Sequence, residues 1–179
     1  MTQPRFLSSA SISSLRNLLG RSIHTIFTPH LDVAGAHLAA PQMSMLVSKD
    51  IFINFSCDWS ETPRFLNDSW LITVSESRNP IGIDRDESGA LLEPCTISMY
   101  RAKPIRNIEI FEYQDEDHET PEESVHYDQA IHFKCDEDRS FCIACMLNGP
   151  GISEYLHFSE DVHVIREMAS QSKCRVVLA

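Results

Sequence analysis

The chain has 179 residues, 42% of them apolar, and a formal charge of −11 from 26 acids and 15 Lys and Arg. That length suits a single domain and can bury a core without disulfide support. The acid surplus disfavours nucleic acid and anionic membrane as partners and steers basic proteins toward the chain.

The charge is unevenly spread. Residues 1–83 hold six acids and six bases, so residues 84–179 carry the whole excess. No stretch has the ~20 apolar residues of a membrane span, and the first residues lack the apolar core of a signal peptide. The expected setting is therefore the cytoplasm, with Cys57, Cys95, Cys135, Cys142, Cys145 and Cys174 reduced.

Taken in order, residues 1–10 read as a loose end. Ser11 to Leu19 spaces Ile12, Leu15, Leu18 and Leu19 along one helical face, with Gly20 as its stop. Ser22 to Thr28 alternates, placing Ile23, Thr25 and Phe27 on one side of a strand that ends at Pro29. Residues 29–41 are small and apolar and read as a loop with at most one helical turn.

Met43–Val47 and Ile51–Cys57 predict a hairpin turning near Lys49-Asp50. Asp58 to Pro63 breaks the alternation, and Trp70–Ser75 restores it. Residues 76–95, with Pro80, Gly82, Gly89 and Pro94, read as exposed loop. Thr96–Arg101 and Ile105–Tyr113 are the next strands. Tyr127–Cys135 and Ser140–Leu147 form a second hairpin, followed by a turn at Asn148-Gly149-Pro150-Gly151. Glu154–Phe158 and Cys174–Leu178 are further strands, separated by a helix over roughly 160–170 that Ser159 would cap. The sum is one α+β domain over 1–179: a largely antiparallel β-sheet built from hairpins, with a helix near each terminus.

The densest chemical signal is Glu109 to Asp128. It contains Glu109, Glu112, Asp115, Glu116, Asp117, Glu119, Glu122, Glu123 and Asp128 and no Lys or Arg. Runs of like charge are usually solvated surface. Their functional reading is a docking site for a basic partner, with Tyr113, Tyr127 and the Asp58-Trp59 pair as anchors, because aromatic side chains dominate interface energetics. Asp115-x-Asp117 has only the first half of a calcium loop.

Cys142-x-x-Cys145, with Cys135 and His132 nearby, has zinc-ligand spacing and supports an alternative reading as a metal- or thiol-dependent enzyme. Residues three apart on a strand point to opposite faces, which favours packing cysteines instead. Nucleophile-elbow, zincin and phosphate-loop motifs are absent from the sequence. The expectation is a non-enzymatic protein with no metal and no cofactor; an adaptor domain with an incidental acidic loop is a further alternative.

The segments FINFSCDWSETP (52–63) and FLNDSWLITVSES (65–77), together with the acidic stretch, resemble the immunity proteins of bacterial polymorphic toxin systems, of the contact-dependent growth-inhibition, type VI and Rhs kinds. The resemblance lies in general character, and no individual site residue transfers with it. It implies a binding protein that neutralises a cognate toxin domain. Many such toxins are nucleases, whose phosphate-binding clefts are basic.

Overall fold

The computed structural model describes residues 4–34, 37–64, 68–145, 155–161, 163 and 172–179. Two antiparallel sheets face each other. The five-stranded sheet uses β1 (Thr25–Thr28), β4 (Gln42–Ser48), β5 (Ile51–Glu61), β6 (Asp68–Ser77) and β7 (Cys95–Ser98), in the order β6-β5-β4-β1-β7. The seven-stranded sheet uses β2 (Asp32–Ala34), β3 (His37–Ala40), β8 (Ile105–Asp115), β9 (Val125–Cys135), β10 (Ser140–Cys145), β11 (Leu156–Ser159) and β12 (Lys173–Leu178), in the order β12-β8-β9-β10-β11-β3-β2. Among the described residues no helix is long and apolar enough to cross a membrane.

Alternation puts one apolar face of each sheet into a shared core. Met43, Met45, Ile53, Phe55, Ile72 and Val74 come from the first sheet; Ile108, Ile110, Ile131, Phe133, Phe141 and Ile143 come from the second. Phe133 is the joint. Its ring meets Phe55 of the opposite sheet edge-on at 6.1 Å and stacks on Phe141 at 4.5 Å. The outer face of the larger sheet carries a second, smaller cluster of Ala130, Cys142 and Ala144 beside Phe111.

The predicted hairpins 43–57 and 127–147 correspond to β4–β5 and β9–β10. The helix near the N-terminus is α1 (Ser9–Arg16), capped by the Ser8 hydroxyl, which accepts from the Ser11 amide at 3.1 Å. It buries Leu15 and lies against β6, where Ser11 Oγ donates to the Val74 carbonyl at 2.8 Å. The helix expected over 160–170 falls largely on residues 162 and 164–171, outside the described residues, as does the expected turn at 148–151.

Four readings are corrected. Residues 29–41 are two strands, β2 and β3, and the chain passes from β3 into β4 of the other sheet through Pro41 alone. Small residues such as Ala39 and Ala40 leave no alternation to read, yet both are buried in the sheet. In β1 the buried residues are Ile26 and Thr28, not Thr25 and Phe27; Phe27 packs instead on Phe52 at 5.9 Å. Asp58–Glu61 does not break β5 but continues it, pairing residue by residue with β6 as far as Glu61 and Asp68. Residues 4–10 of the N-terminal segment are not loose. Arg5 bridges to Tyr127 in parallel, its amide donates to the His126 carbonyl at 2.8 Å, and Leu7 is buried.

Truncating the joint should cost what a buried aromatic costs. Phe133→Ala is expected to lose about 3–5 kcal/mol of stability. A urea titration should show this as a lower midpoint with an unchanged slope.

Candidate functional site

The acidic stretch is not one exposed loop. It is the end of β8, a connection containing a 3-10 turn at Pro121–Glu123, and the start of β9. Its nine carboxylates fall into two groups.

The first group is structural. Asp128 is fully buried. It accepts two hydrogen bonds from Arg175, Nε at 2.8 Å and Nη2 at 2.6 Å, and a third from the Leu7 amide at 2.7 Å. Two register shifts lie at the pair. The β8–β9 register slips opposite Gln129, next to Asp128, and the β12–β8 register slips at Arg175, which reaches across β8. The Asp128 side chain holds the Arg175 guanidinium still more firmly protonated. Arg175 also lies 4.2 Å from the centroid of the Phe6 ring, a cation–π contact.

Glu123 is also fully buried. It accepts from the Thr62 hydroxyl and, at 2.8 Å, from the Arg64 amide, fixing the β5–β6 connection to the β8–β9 connection. Glu112 is buried and sits 3.1 Å from His126 Nε2. Glu109 is paired with Lys134 at 2.5 Å and lies 3.4 Å from His132 Nδ1. Asp117 closes the turn: it accepts from the amides of Glu119 (2.9 Å) and Thr120 (2.8 Å) and from the Thr120 hydroxyl. The Thr120 hydroxyl and amide, in that order, pull its pKa below the usual carboxylate value. Glu112, Glu123 and Asp128 therefore cannot meet a partner at the surface. Nor can Tyr127, which is buried against Tyr113, with ring centroids 5.5 Å apart. Burial raises the pKa of both phenols.

The second group faces solvent. Asp115, Glu116 and Glu119 are exposed, and Glu122 is half-exposed with Arg64 at 2.9 Å. The Arg64–Glu122 and Thr62–Glu123 contacts bring this group to the same end of the sandwich as the β5–β6 tip. There Trp59 is 40% exposed and leans on the buried Trp70 at 6.0 Å, while Asp58 pairs with Arg5 and Glu61 is exposed. Arg5 also donates to the Ser60 hydroxyl (2.5 Å) and the Ser69 hydroxyl (2.8 Å). The two segments singled out separately in the sequence thus come to the same end of the sandwich, with Asp58 and Trp59, consecutive on β5, on opposite faces of its sheet. That end has six carboxylates, two arginines already engaged by them, and one half-exposed indole. Glu61 and Arg5 are additions that composition alone does not mark.

Cys135, Cys142 and Cys145 do not converge on one point. Cys142 lies in the outer cluster and Cys145 in the main core, where its thiol meets Cys57 of β5. Burial pushes the Cys142 thiol up to about 12, Cys135 up to about 11, and Cys145 well above its ordinary value. Such thiols are poor nucleophiles and poor metal ligands at neutral pH. Among the described residues no group of three or more His, Cys, Asp and Glu side chains is arranged to hold a metal. No family model, no curated protein and no solved structure matches this chain.

Asp128→Ala should lose about 3–5 kcal/mol, since it strands a partly buried guanidinium, whereas Asp115→Ala should stay within about 0.5 kcal/mol. Chemical denaturation of both variants checks the division. Burial lowers the His132 pKa below its ordinary 6.5, outweighing the opposing influence of Glu109. The stability tied to keeping it neutral is present above pH 6.5 and is lost as pH falls through the lower folded value. The wild-type urea midpoint should therefore drop between pH 7 and the acid side of that value more than that of His132→Gln.

Proposed function

We propose that this chain is a non-catalytic binding protein that presents an acidic, aromatic-centred surface to a basic protein domain. Its partner in this reading is a toxin domain that it neutralises in the manner of an immunity protein. The observation that carries the proposal is that the Arg64–Glu122 and Thr62–Glu123 contacts bring the connection bearing Asp115, Glu116, Glu119 and Glu122 to the end of the sandwich where β5 carries Asp58, the half-exposed Trp59 and Glu61. The division of labour follows from general physics. Solvated charges far from contact speed and orient encounter but add little net affinity. An indole that becomes fully covered supplies the affinity. The β5–β6 pairing and the buried Glu123 hold the two halves of the surface in place before any partner arrives, which lowers the ordering cost of binding.

The test uses the domain encoded at the C-terminal end of the reading frame upstream of this gene, co-expressed and then purified with the chain. Wild type should relieve its toxicity, and association should slow as salt rises. Replacing Asp115, Glu116, Glu119 and Glu122 by Lys should cut the association rate at least about tenfold and flatten its salt dependence. Trp59→Ala should raise the dissociation rate by about tenfold or more. Full protection and unchanged kinetics in both variants would move the interface elsewhere.

A further inference from the structure

The opposite end of β5 has the reverse character. The β4–β5 turn (Lys49, Asp50), the residues just after β6 (Arg78, Asn79) and Arg85 surround an open recess of about 560 Å³. Three cations face one carboxylate, in a molecule whose net charge is −11. Seven other cations (Arg5, Arg64, Lys103, Arg106, Lys134, Arg139 and Arg175) have carboxylate partners. Among the described residues seven Lys and Arg have no carboxylate ion pair, and three of these, Lys49, Arg78 and Arg85, line this one recess while Arg16, Arg21, Arg101 and Lys173 lie outside it.

The recess is also built rather than incidental. Asn54, itself buried, donates to Ser77 Oγ at 2.9 Å and to the Asn79 carbonyl at 3.2 Å. The Ile81 amide is held by Ser44 Oγ at 3.0 Å and Asn54 Oδ1 at 3.3 Å, so the turn after β6 is pinned to the strands beneath it. Asn79 Oδ1 then accepts from Arg85 Nε at 2.9 Å, and the Gly89 carbonyl accepts from Arg85 Nη1 at 2.5 Å. The Gly89 carbonyl is placed by a tight turn: Asp86 accepts from the Ser88 and Ala90 amides, and Gly89 adopts φ +85°. Both anchors of Arg85 are neutral. They orient the guanidinium without discharging it and leave donors unused.

The geometry points to this recess as a binding site for a small polyanion whose phosphate or carboxylate oxygens bridge Arg78, Arg85 and Lys49. Its size falls within the range of small-molecule sites. The acidic end does not forbid it. Ten residue steps of β5 separate the ends, about 33 Å, several times the screening length of about 8 Å at physiological salt.

Pyrophosphate and citrate, titrated calorimetrically into the full chain at low ionic strength, are the probes. One saturable site with a dissociation constant of about 1 mM or tighter is expected for at least one of them. Tighter binding of pyrophosphate assigns a phosphate ligand; tighter binding of citrate assigns a carboxylate ligand. Arg78→Ala and Arg85→Gln, both exposed positions, should each weaken binding by about tenfold or more. Arg101→Ala, outside the recess, should leave it unchanged. Absence of saturable binding for both probes, or binding that survives the Arg78→Ala, Arg85→Gln double variant, would overturn the assignment.

Discussion

The pairing of Asp128 with Arg175 is the constraint on which the acidic end depends. A fully buried carboxylate survives only if its oxygens are satisfied and its charge is matched. Here both conditions are met at once, by a two-pronged guanidinium and by the Leu7 amide. The amide bond holds the N-terminal segment against β9. That segment in turn carries Arg5, whose side chain reaches Asp58, Ser60 and Ser69 on the other sheet. A single charge pair therefore organises three elements and, through Arg5, stitches the two sheets at one end.

The same chemistry explains why a run of nine acids yields a smaller surface. The acids that face inward each fix a particular piece of the fold. Asp128 ties β12 and the N-terminal segment to β9, Glu123 locks two connections together, and Asp117 closes a turn. With those contacts made, the hairpin can project Asp115, Glu116 and Glu119 without unravelling. The exposed charge rests on the buried charge. The accessible patch is correspondingly narrower than the stretch from Glu109 to Asp128, and it gains Asp58, Glu61 and Trp59 from a segment some fifty residues away in the chain.

What could be read beforehand follows from what each signal encodes. Alternation of large apolar residues locates β4, β5, β8, β9 and β10, because burial of one sheet face imposes that period. It misses β2 and β3, where small residues carry no contrast between faces, and it misjudges Asp58–Glu61, where polar residues sit on a strand paired along its whole length. The antiparallel architecture and the helix near the N-terminus are legible for these reasons. Burial of Glu112, Glu123 and Asp128 is not, because a carboxylate turns inward only when a distant donor meets it. Arg175 is forty-seven positions from Asp128 and Thr62 is sixty-one from Glu123. The faces of Cys142 and Cys145 follow from strand parity alone, and they are opposite.

The sandwich is also polarised along its strands. β5 runs from the cationic recess at Ile51 to the acidic tip at Glu61, so one rigid element sets the separation of two opposite surfaces. Charges that far apart are screened from each other at physiological salt, and each end keeps its own local potential. Had the same residues been interspersed, their fields would cancel and neither end could select a partner by charge. The formal charge of −11 therefore understates the organisation of this molecule: its electrostatics are those of two separate surfaces of opposite sign joined by a common core, each braced by buried hydrogen bonds.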